Sequence, residues 1–273
     1  MAESRMPALD ALLAELGDAG RRLREIDACE GAAGNISVCL RQPPEPSDRF
    51  SAQEVIELPQ AVSKLAGAAF LVSGSGCRLR DIIRDPCANL GWLVVGPEGR
   101  TARLYTSPNR EFARLTTEFN SHLAVHEDQM AASGTDLHAV IHAQPPFLTY
   151  LSHIPAYQDE AYLNGQLLRW QPETILQFPE GLSCIPFHTP GSPELMAKTV
   201  VELRQHRLVV WAKHGVMARS ALSVSHAADL IEYAEAAARY EYLDLAAGRE
   251  GAGLSPEELR TICSDFDIRS DLV

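Results

Sequence analysis

Between Phe70 and Tyr105, strand-like apolar runs follow one another with no helix-length segment between them. They are Phe70–Gly76, a strand running into a glycine-rich turn, then Cys77–Ile83, Leu90–Val95 and Ala102–Tyr105. A strict βαβ repeat would interleave helices, so this order predicts a mixed, largely antiparallel sheet. Elsewhere strands and helices alternate, which predicts helices covering that sheet and an α/β fold.

Periodicity supplies the remaining elements. Leu9, Leu12, Leu13, Leu16, Leu23 and Ile26 mark an amphipathic helix over 8–28, broken by Gly31-Ala-Ala-Gly34. Ile36, Val38 and Leu40 alternate as a strand, and the proline-rich stretch Gln42–Ser51 reads as a surface loop. Glu118–Ala132 has helix-forming composition and stops at Gly134; Leu137–His142 reads as a strand, and Pro145-Pro146 opens a helix. Thr174–Phe178 and Leu182–Phe187 read as short strands, Ser192–His206 as a helix and Leu208–Lys213 as a strand. A long alanine-rich helix over Ser223–Ala247 and a short one near Pro256–Cys263 complete the chain. No internal repeat is visible.

At 273 residues and 46% hydrophobic, the chain can bury a sizeable core, and it is read as a single domain over 1–273. A formal charge of −12 argues against nucleic acid or an anionic membrane as partner. The partner expected is a small molecule, and local groups must capture it if it is anionic. Residues 1–30 lack the apolar run of a signal peptide, and no stretch matches a membrane span. Six cysteines without CxxC spacing read as reduced thiols packed as small hydrophobes. A cytoplasmic protein is expected from these features.

The chemistry centres on His142-Ala-Gln144 and on His214 in Lys213-His214-Gly215. Residues i and i+2 of an extended chain point to one side, so His142 and Gln144 can share one divalent ion. His214 would join them from a second strand. From spacing alone, two hydrogen-bonded core histidines explain the pattern as well. Glu118 is the natural fourth ligand or base; equally, with Thr117 as N-cap, it would complement the dipole of the helix it enters. Glu118, His122 and His126 share a helical face at i, i+4, i+8, a stripe that can bind metal but is more often structural.

Several short motifs, in order, resemble the class II aldolase/adducin family over nearly the full length, most of all its rhamnulose-phosphate branch. They are Gly34-Asn35-Ile-Ser37, Val72-Ser-Gly-Ser-Gly76, Pro86-Cys-Ala-Asn-Leu-Gly91, Glu118-Phe-Asn-Ser-His122, Val140-Ile-His142, Phe178-Pro-Glu-Gly181, Pro190-Gly191 and Trp211-Ala-Lys-His214-Gly215. The resemblance implies a three-layer α/β/α fold and a homotetramer with active sites near subunit interfaces. It implies retro-aldol cleavage of a sugar phosphate, with zinc as Lewis acid stabilising an enediolate. It makes His142 and His214 metal ligands, Gln144 the stand-in for a third histidine, and Glu118 a ligand or proton carrier. Glu173 matches a second acidic residue used for proton transfer. Asn35, Gly74, Ser75, Gly76, Thr116 and Thr117 match the side that cradles a phosphate.

The chain departs from that pattern twice. Gln144 offers an amide oxygen, harder and weaker than imidazole, which weakens zinc and opens the site to Mn²⁺, Co²⁺ or Mg²⁺. Ala32 replaces a second asparagine, removing one anion donor. A decarboxylase, dehydratase or epimerase of the same fold, or a non-catalytic adducin-like binding protein, are the alternatives these departures leave open.

Overall fold

The computed structural model describes residues 8–44 and 48–273. The N-terminal half holds α1 (Leu9–Glu25), β1 (Asn35–Leu40), β2 (Ala52–Glu57), β3 (Ala69–Ser73), α2 (Pro86–Asn89), β4 (Leu90–Val95) and β5 (Thr101–Thr106). Then come α3 (Phe119–Ser133), β6 (Leu137–Ala143), α4 (Pro146–Leu151), α5 (Glu160–Leu167) and α6 (Pro172–Gln177). The chain ends with β7 (Ser183–Ile185), α7 (Pro193–Glu202), β8 (Leu208–Trp211), β9 (Gly215–Ser220), α8 (Val224–Ala247) and α9 (Pro256–Asp265).

One sheet collects the nine described strands in the order β2-β5-β4-β3-β1-β6-β9-β8-β7. Every neighbouring pair is antiparallel except β7–β8, whose connection runs through α7 as a parallel crossover must run through a helix. The mixed, largely antiparallel sheet expected from the order of apolar runs is therefore present.

Period-two burial sends each strand's side chains to two different helical layers. From β1, Ile36, Val38 and Leu40 join the core beneath α1 and α8, together with Leu12, Leu16, Ala227 and Ile231. Cys39 points the other way and packs with Phe119, Leu123 and Met130 of α3. Farther along that second face, Val140, Val209 and Met217 meet Val125 of α3 and Leu195 of α7. With α1 packed on α8 and α3 on α7, the layers are α/β/α. All six residues of β1 are buried, so this strand and its neighbour β6 lie at the centre of the molecule. The cysteines are free thiols, and all but the half-buried Cys184 are buried.

Local expectations failed in identifiable places. Cys77–Ile83 is not a strand: it is a turn containing a 3₁₀ segment, Leu79–Asp81, pressed onto α1. Thr174–Gln177 is helical, as part of α6, and Phe178 follows as its C-cap; Pro172 starts that helix, and Thr174 and Ile175 are buried as it packs on α8 and α9. The β-branched pair looked like a strand because tertiary packing outweighs weak local propensity. Two strands were unread. β2 is polar and exposed at the sheet edge, held by its full register with β5, and β9 follows β8 after a turn too short to notice. In the expected loop Gln42–Ser51, residues 45–47 lie outside the described residues, as do residues 1–7 of the segment read for a leader. The loop's end, Asp48–Phe50, is a 3₁₀ turn that buries Phe50. Among the described residues no helix is long and apolar enough to cross a membrane.

Candidate functional site

β6 carries His142 into the middle of the sheet, opposite Asn35 of β1 and Met217 of β9. Its Nδ1 lies 2.8 Å from the Val216 carbonyl oxygen. A carbonyl only accepts, so Nδ1 carries the hydrogen and Nε2 keeps its lone pair. The Trp211 ring stacks on the imidazole at 4.7 Å and fixes its plane. Nε2 then faces Glu118 Oε2 at 3.4 Å.

His214 sits in the tight turn of the β8–β9 hairpin. Trp211 pairs with Gly215, and the residues between them turn through Lys213, whose φ of 65° is left-handed. The His214 N–H closes the turn onto the Trp211 carbonyl at 2.9 Å. Its ring also stacks on Trp211, and its Nε2 stands 3.7 Å from Glu118 Oε1. Position 215 needs glycine. A Cβ there would lie 2.4 Å from the Ala143 carbonyl oxygen and 3.1 Å from both Gln144 Cγ and His142 Cε1.

Glu118 is placed differently from the helix-capping alternative. It occupies the N-cap position of α3 itself, its side chain caps nothing, and its N–H approaches Thr116 Oγ1 rather than any group of Thr117. The carboxylate is free for another task. Oε2 accepts a hydrogen bond from Asn35 Nδ2 at 2.8 Å, while Oε1 is buried without a partner among the described residues. Burial pushes this carboxyl up, but the His142 imidazole, the Asn35 amide, His214 and His122 together outweigh it and the net direction is down. Burial, then His142, push His214 down to about 4 against the pull of Glu118, so its imidazole is neutral at pH 7.

These residues fit a divalent metal. One nitrogen or oxygen from each of Glu118, His142 and His214 lies within 4.8 Å of the others. Two ligands about 2.1 Å from a tetrahedral ion stand about 3.4 Å apart, close to the two Glu118–histidine separations. The orphaned Oε1 is the atom that such an ion would satisfy.

A cleft of about 240 Å³ opens over the cluster, lined by Asn35, Gly74, Ser75, Gly76, Thr116, Thr117, Glu118, His142, Gln144 and His214. Gly34 and Pro190, quoted above only within motifs, also line it, as does Ala33, which was not singled out from sequence. Ala32 lies at the wall too, where an amide is lacking. The donors are fewer than the motif suggests. The N–H groups of Gly74, Ser75 and Thr116 are engaged by the carbonyls of Asn89, Arg114 and Ser73. The N–H groups of Gly76 and Thr117 have no backbone partner among the described residues, and both residues are exposed to the cleft. Gly74 is glycine for a packing reason, since a Cβ there would lie 2.1 Å from Phe112 Cγ. Gly76 has φ of 83°, a conformation that favours glycine.

Two sequence candidates stand apart from the cluster. Glu173 is exposed in the first turn of α6 and does not line this cleft. His122 and His126 are fully buried and bond to Ser37 instead of facing the metal position. Sequence reasoning missed Val216, and it missed the role of Trp211, quoted only within a motif; together they fix the His142 ring. Only the β6–β9 register brings the Val216 carbonyl to His142, and no local signal announces it.

Comparison with known proteins places the chain. Rhamnulose-1-phosphate aldolase from Yersinia pestis (strain Pestoides F) is 28% identical over 247 residues, covering 88% of this chain and 87% of the relative. A sugar-phosphate aldolase from Thermotoga maritima superposes with a TM-score of 0.74 at 28% identity, covering 90% of this chain and 99% of the other. L-fuculose-1-phosphate aldolase from Thermus thermophilus shares the fold, with a TM-score of 0.57 at 19% identity over 90% of this chain and all of the other. Residues 14–242 match the family described as Class II Aldolase and Adducin N-terminal domain, so the chain belongs to the class II aldolase and adducin family.

Proposed function

We propose that this chain is a metal-dependent aldehyde lyase, cleaving a sugar-phosphate-like hydroxy-carbonyl substrate by a reversible retro-aldol step. The observation that carries this is the convergence of Glu118, His142 and His214 in one cleft with the free N–H groups of Gly76 and Thr117. That the Yersinia relative and the Thermotoga neighbour are sugar-phosphate aldolases supports the same class.

A divalent metal, zinc first and Mn²⁺, Co²⁺ or Mg²⁺ next, would draw charge from the substrate's carbonyl and hydroxyl oxygens and stabilise an enediolate. His142 and His214 would hold it through Nε2, with Glu118 Oε1 and the Gln144 amide oxygen as the remaining protein donors. The anionic end of the substrate would rest on the Gly76 and Thr117 N–H groups and the hydroxyls of Ser75, Thr116 and Thr117. Gly74 contributes by leaving room for Phe112 behind the cleft wall, and Asn35 acts on the substrate side mainly by holding Glu118. Cleavage needs one base for the hydroxyl proton and one group to manage the carbon acid. Glu118 serves the second role. Glu173, exposed and outside the cleft of its own chain, would serve the first from a neighbouring copy in a homotetramer. A single catalytic unit over 1–273 in the cytoplasm belongs to the same reading, supported by a family match over 14–242.

The direct test is release of dihydroxyacetone phosphate and an aldehyde from rhamnulose 1-phosphate or fuculose 1-phosphate, abolished by chelation and restored by zinc. Carbon dioxide release or an epimerised ketose without aldehyde would overturn it in favour of another reaction on the same fold. A purified chain that takes up no metal and binds no sugar phosphate would be the adducin-like outcome.

Two substitutions probe the finer roles. Gln144→His restores an imidazole beside His142 and His214 and is expected to tighten zinc by about 10-fold, read by competition with a chromophoric chelator. An unchanged constant would mean that Gln144 does not face the ion. Glu173→Gln is expected to lower kcat by about 10²-fold or more with little change in KM, as loss of general acid–base catalysis does. A defect confined to KM would refute proton transfer at Glu173.

A further inference from the structure

Behind the cleft, a file of buried polar side chains runs from Glu118 through the layer between the sheet and α3. Asn35 Nδ2 lies 2.8 Å from Glu118 Oε2, and Asn35 Oδ1 lies 2.5 Å from His122 Nε2. His122 Nδ1 is 2.6 Å from Ser37 Oγ, which is 2.7 Å from His126 Nε2. His126 Nδ1 is 2.8 Å from His138 Nδ1, and His138 Nε2 is buried with no partner among the described residues. Ser37, His122 and His126 are fully buried and His138 is 1% exposed.

The direction of every proton in this file follows from its end. A carboxylate only accepts, so the Asn35 atom facing Glu118 is the amide nitrogen, and its oxygen must face His122. That oxygen also only accepts, which places the His122 proton on Nε2. Burial drives His122 and His138 down to about 3, and His126 well below its ordinary value, so each ring carries a single proton. His122 Nδ1 is then an acceptor, and Ser37 must donate to it. Ser37 in turn accepts from His126 Nε2, so His126 Nδ1 is an acceptor and His138 Nδ1 is the last donor. All five hydrogen bonds point the same way, toward Glu118.

Reversal anywhere would leave two donors or two acceptors face to face in a buried layer, which costs far more than a weakened bond. The orientation of the Asn35 amide is thereby fixed from behind, and with it the oxygen that Glu118 leaves for the ion. Spacing along two strands and one helix makes this possible. Asn35 and Ser37 share a face of β1, His122 and His126 share a face of α3, and His138 precedes His142 on the same face of β6.

We infer that His122, Ser37, His126 and His138 are positioning residues, a one-way hydrogen-bond file that locks Asn35 and aims Glu118 Oε1 at the metal position. The inference rests on the metal-site reading for its consequence, and on the hydrogen-bond geometry together with the burial that keeps each ring neutral for the proton order.

The proton order is tested on the full-length, metal-free protein by long-range ¹H–¹⁵N spectra of its histidine rings. Expected are Nε2–H forms for His122 and His126 and an Nδ1–H form for His138; an Nε2–H form at His138, or a doubly protonated ring at pH 7, would overturn the file. The consequence is tested with Ser37→Ala, which removes the central hydroxyl and no ring. Zinc affinity, by chelator competition, is expected to fall by about 10-fold, the loss typical of residues that orient metal ligands. With rhamnulose 1-phosphate, kcat should fall with KM nearly unchanged. A Ser37→Ala protein with wild-type zinc affinity and a lowered melting temperature alone would show a merely structural role and overturn positioning. Should that variant not fold, the wild-type tautomers still decide the proton order. Correct tautomers and weakened zinc in a chain without aldolase activity would support the file while sinking the proposed reaction.

Discussion

The wild type is expected to purify with divalent metal and His214→Ala without it, and the variant to lose about 10³-fold or more in kcat/KM. His214 is the cleanest ligand to remove. It stands in a hairpin turn whose backbone bond to the Trp211 carbonyl does not involve the ring, and it is more exposed than His142 or Glu118. Loss of its imidazole leaves two of the three close donors and Gln144, a set too weak to retain an ion through purification. Metal analysis of both proteins side by side reads the result, and equal metal content would sink the assignment. A second readout needs no substrate. Zinc at about a hundredfold over its dissociation constant stabilises a protein that binds it only when folded by about 2.7 kcal/mol. Wild-type melting temperature should therefore rise on adding zinc, and the His214→Ala melting temperature should stay put.

The largest effect on stability is expected far from the cleft, at Glu241. This carboxylate of α8 is fully buried and accepts four hydrogen bonds. Oε1 takes the Tyr157 hydroxyl and Arg249 Nη1, the latter at 3.0 Å; Oε2 takes Arg169 Nη2 at 2.9 Å and Trp170 Nε1 at 3.0 Å. Glu241→Ala would leave the Tyr157 hydroxyl and the Trp170 indole without their acceptor and would strip Arg169 of its shorter ion pair. Removing one member of such a buried pair costs about 3–5 kcal/mol. The Arg169 contact to Asp244 at 3.3 Å survives, and Arg249 is partly exposed, so the lower end of that range is expected. Chemical denaturation measures it; a variant within about 0.5 kcal/mol of wild type, the range of an ordinary surface change, would contradict it. The consequence reaches the site. Arg169 and Trp170 lead directly into Pro172 and α6, so Glu241 also sets where Glu173 is presented. Glu241→Gln, which keeps the shape and one acceptor, should cost less than the alanine change.

Much of the candidate site was legible from residue order alone. His142 and His214 each sit beside an apolar strand run, and Glu118 where a polar loop meets a helix, because ligands are carried at the ends of rigid elements. The fold class was legible for a similar reason: strands in close succession leave no room for crossover helices. What was not legible depended on partners distant in sequence. The Thr174–Phe178 segment has β-branched residues at its start, yet all of it but the capping Phe178 is helical because α8 and α9 offer it a packing face. β2 has no apolar alternation to read, because an exposed edge strand is held mainly by its backbone ladder to β5, with only Ile56 reaching the core. Thr117 matched an N-cap pattern, and Glu118 took that position because its side chain is drawn inward to Asn35. Gly74 looked like an anion donor, whereas its N–H is taken by Asn89 and its missing Cβ makes room for Phe112.

Residue types and their local spacing established which groups could do the chemistry: two imidazoles, an amide where a third imidazole was expected, a carboxylate, and a glycine-rich anion turn. They carry that information because donor chemistry belongs to the residue. The state and aim of those groups came from the folded chain. The Val216 carbonyl sets which His142 nitrogen faces the cleft, Trp211 sets the planes of both rings, and Asn35, held by His122, sets which Glu118 oxygen is left free. Glu173, equally plausible by type, was left outside the cleft of its own chain. Hydrogen-bond direction and burial are properties of neighbours, and those neighbours come from β1, α3, β8 and β9, far apart along the chain.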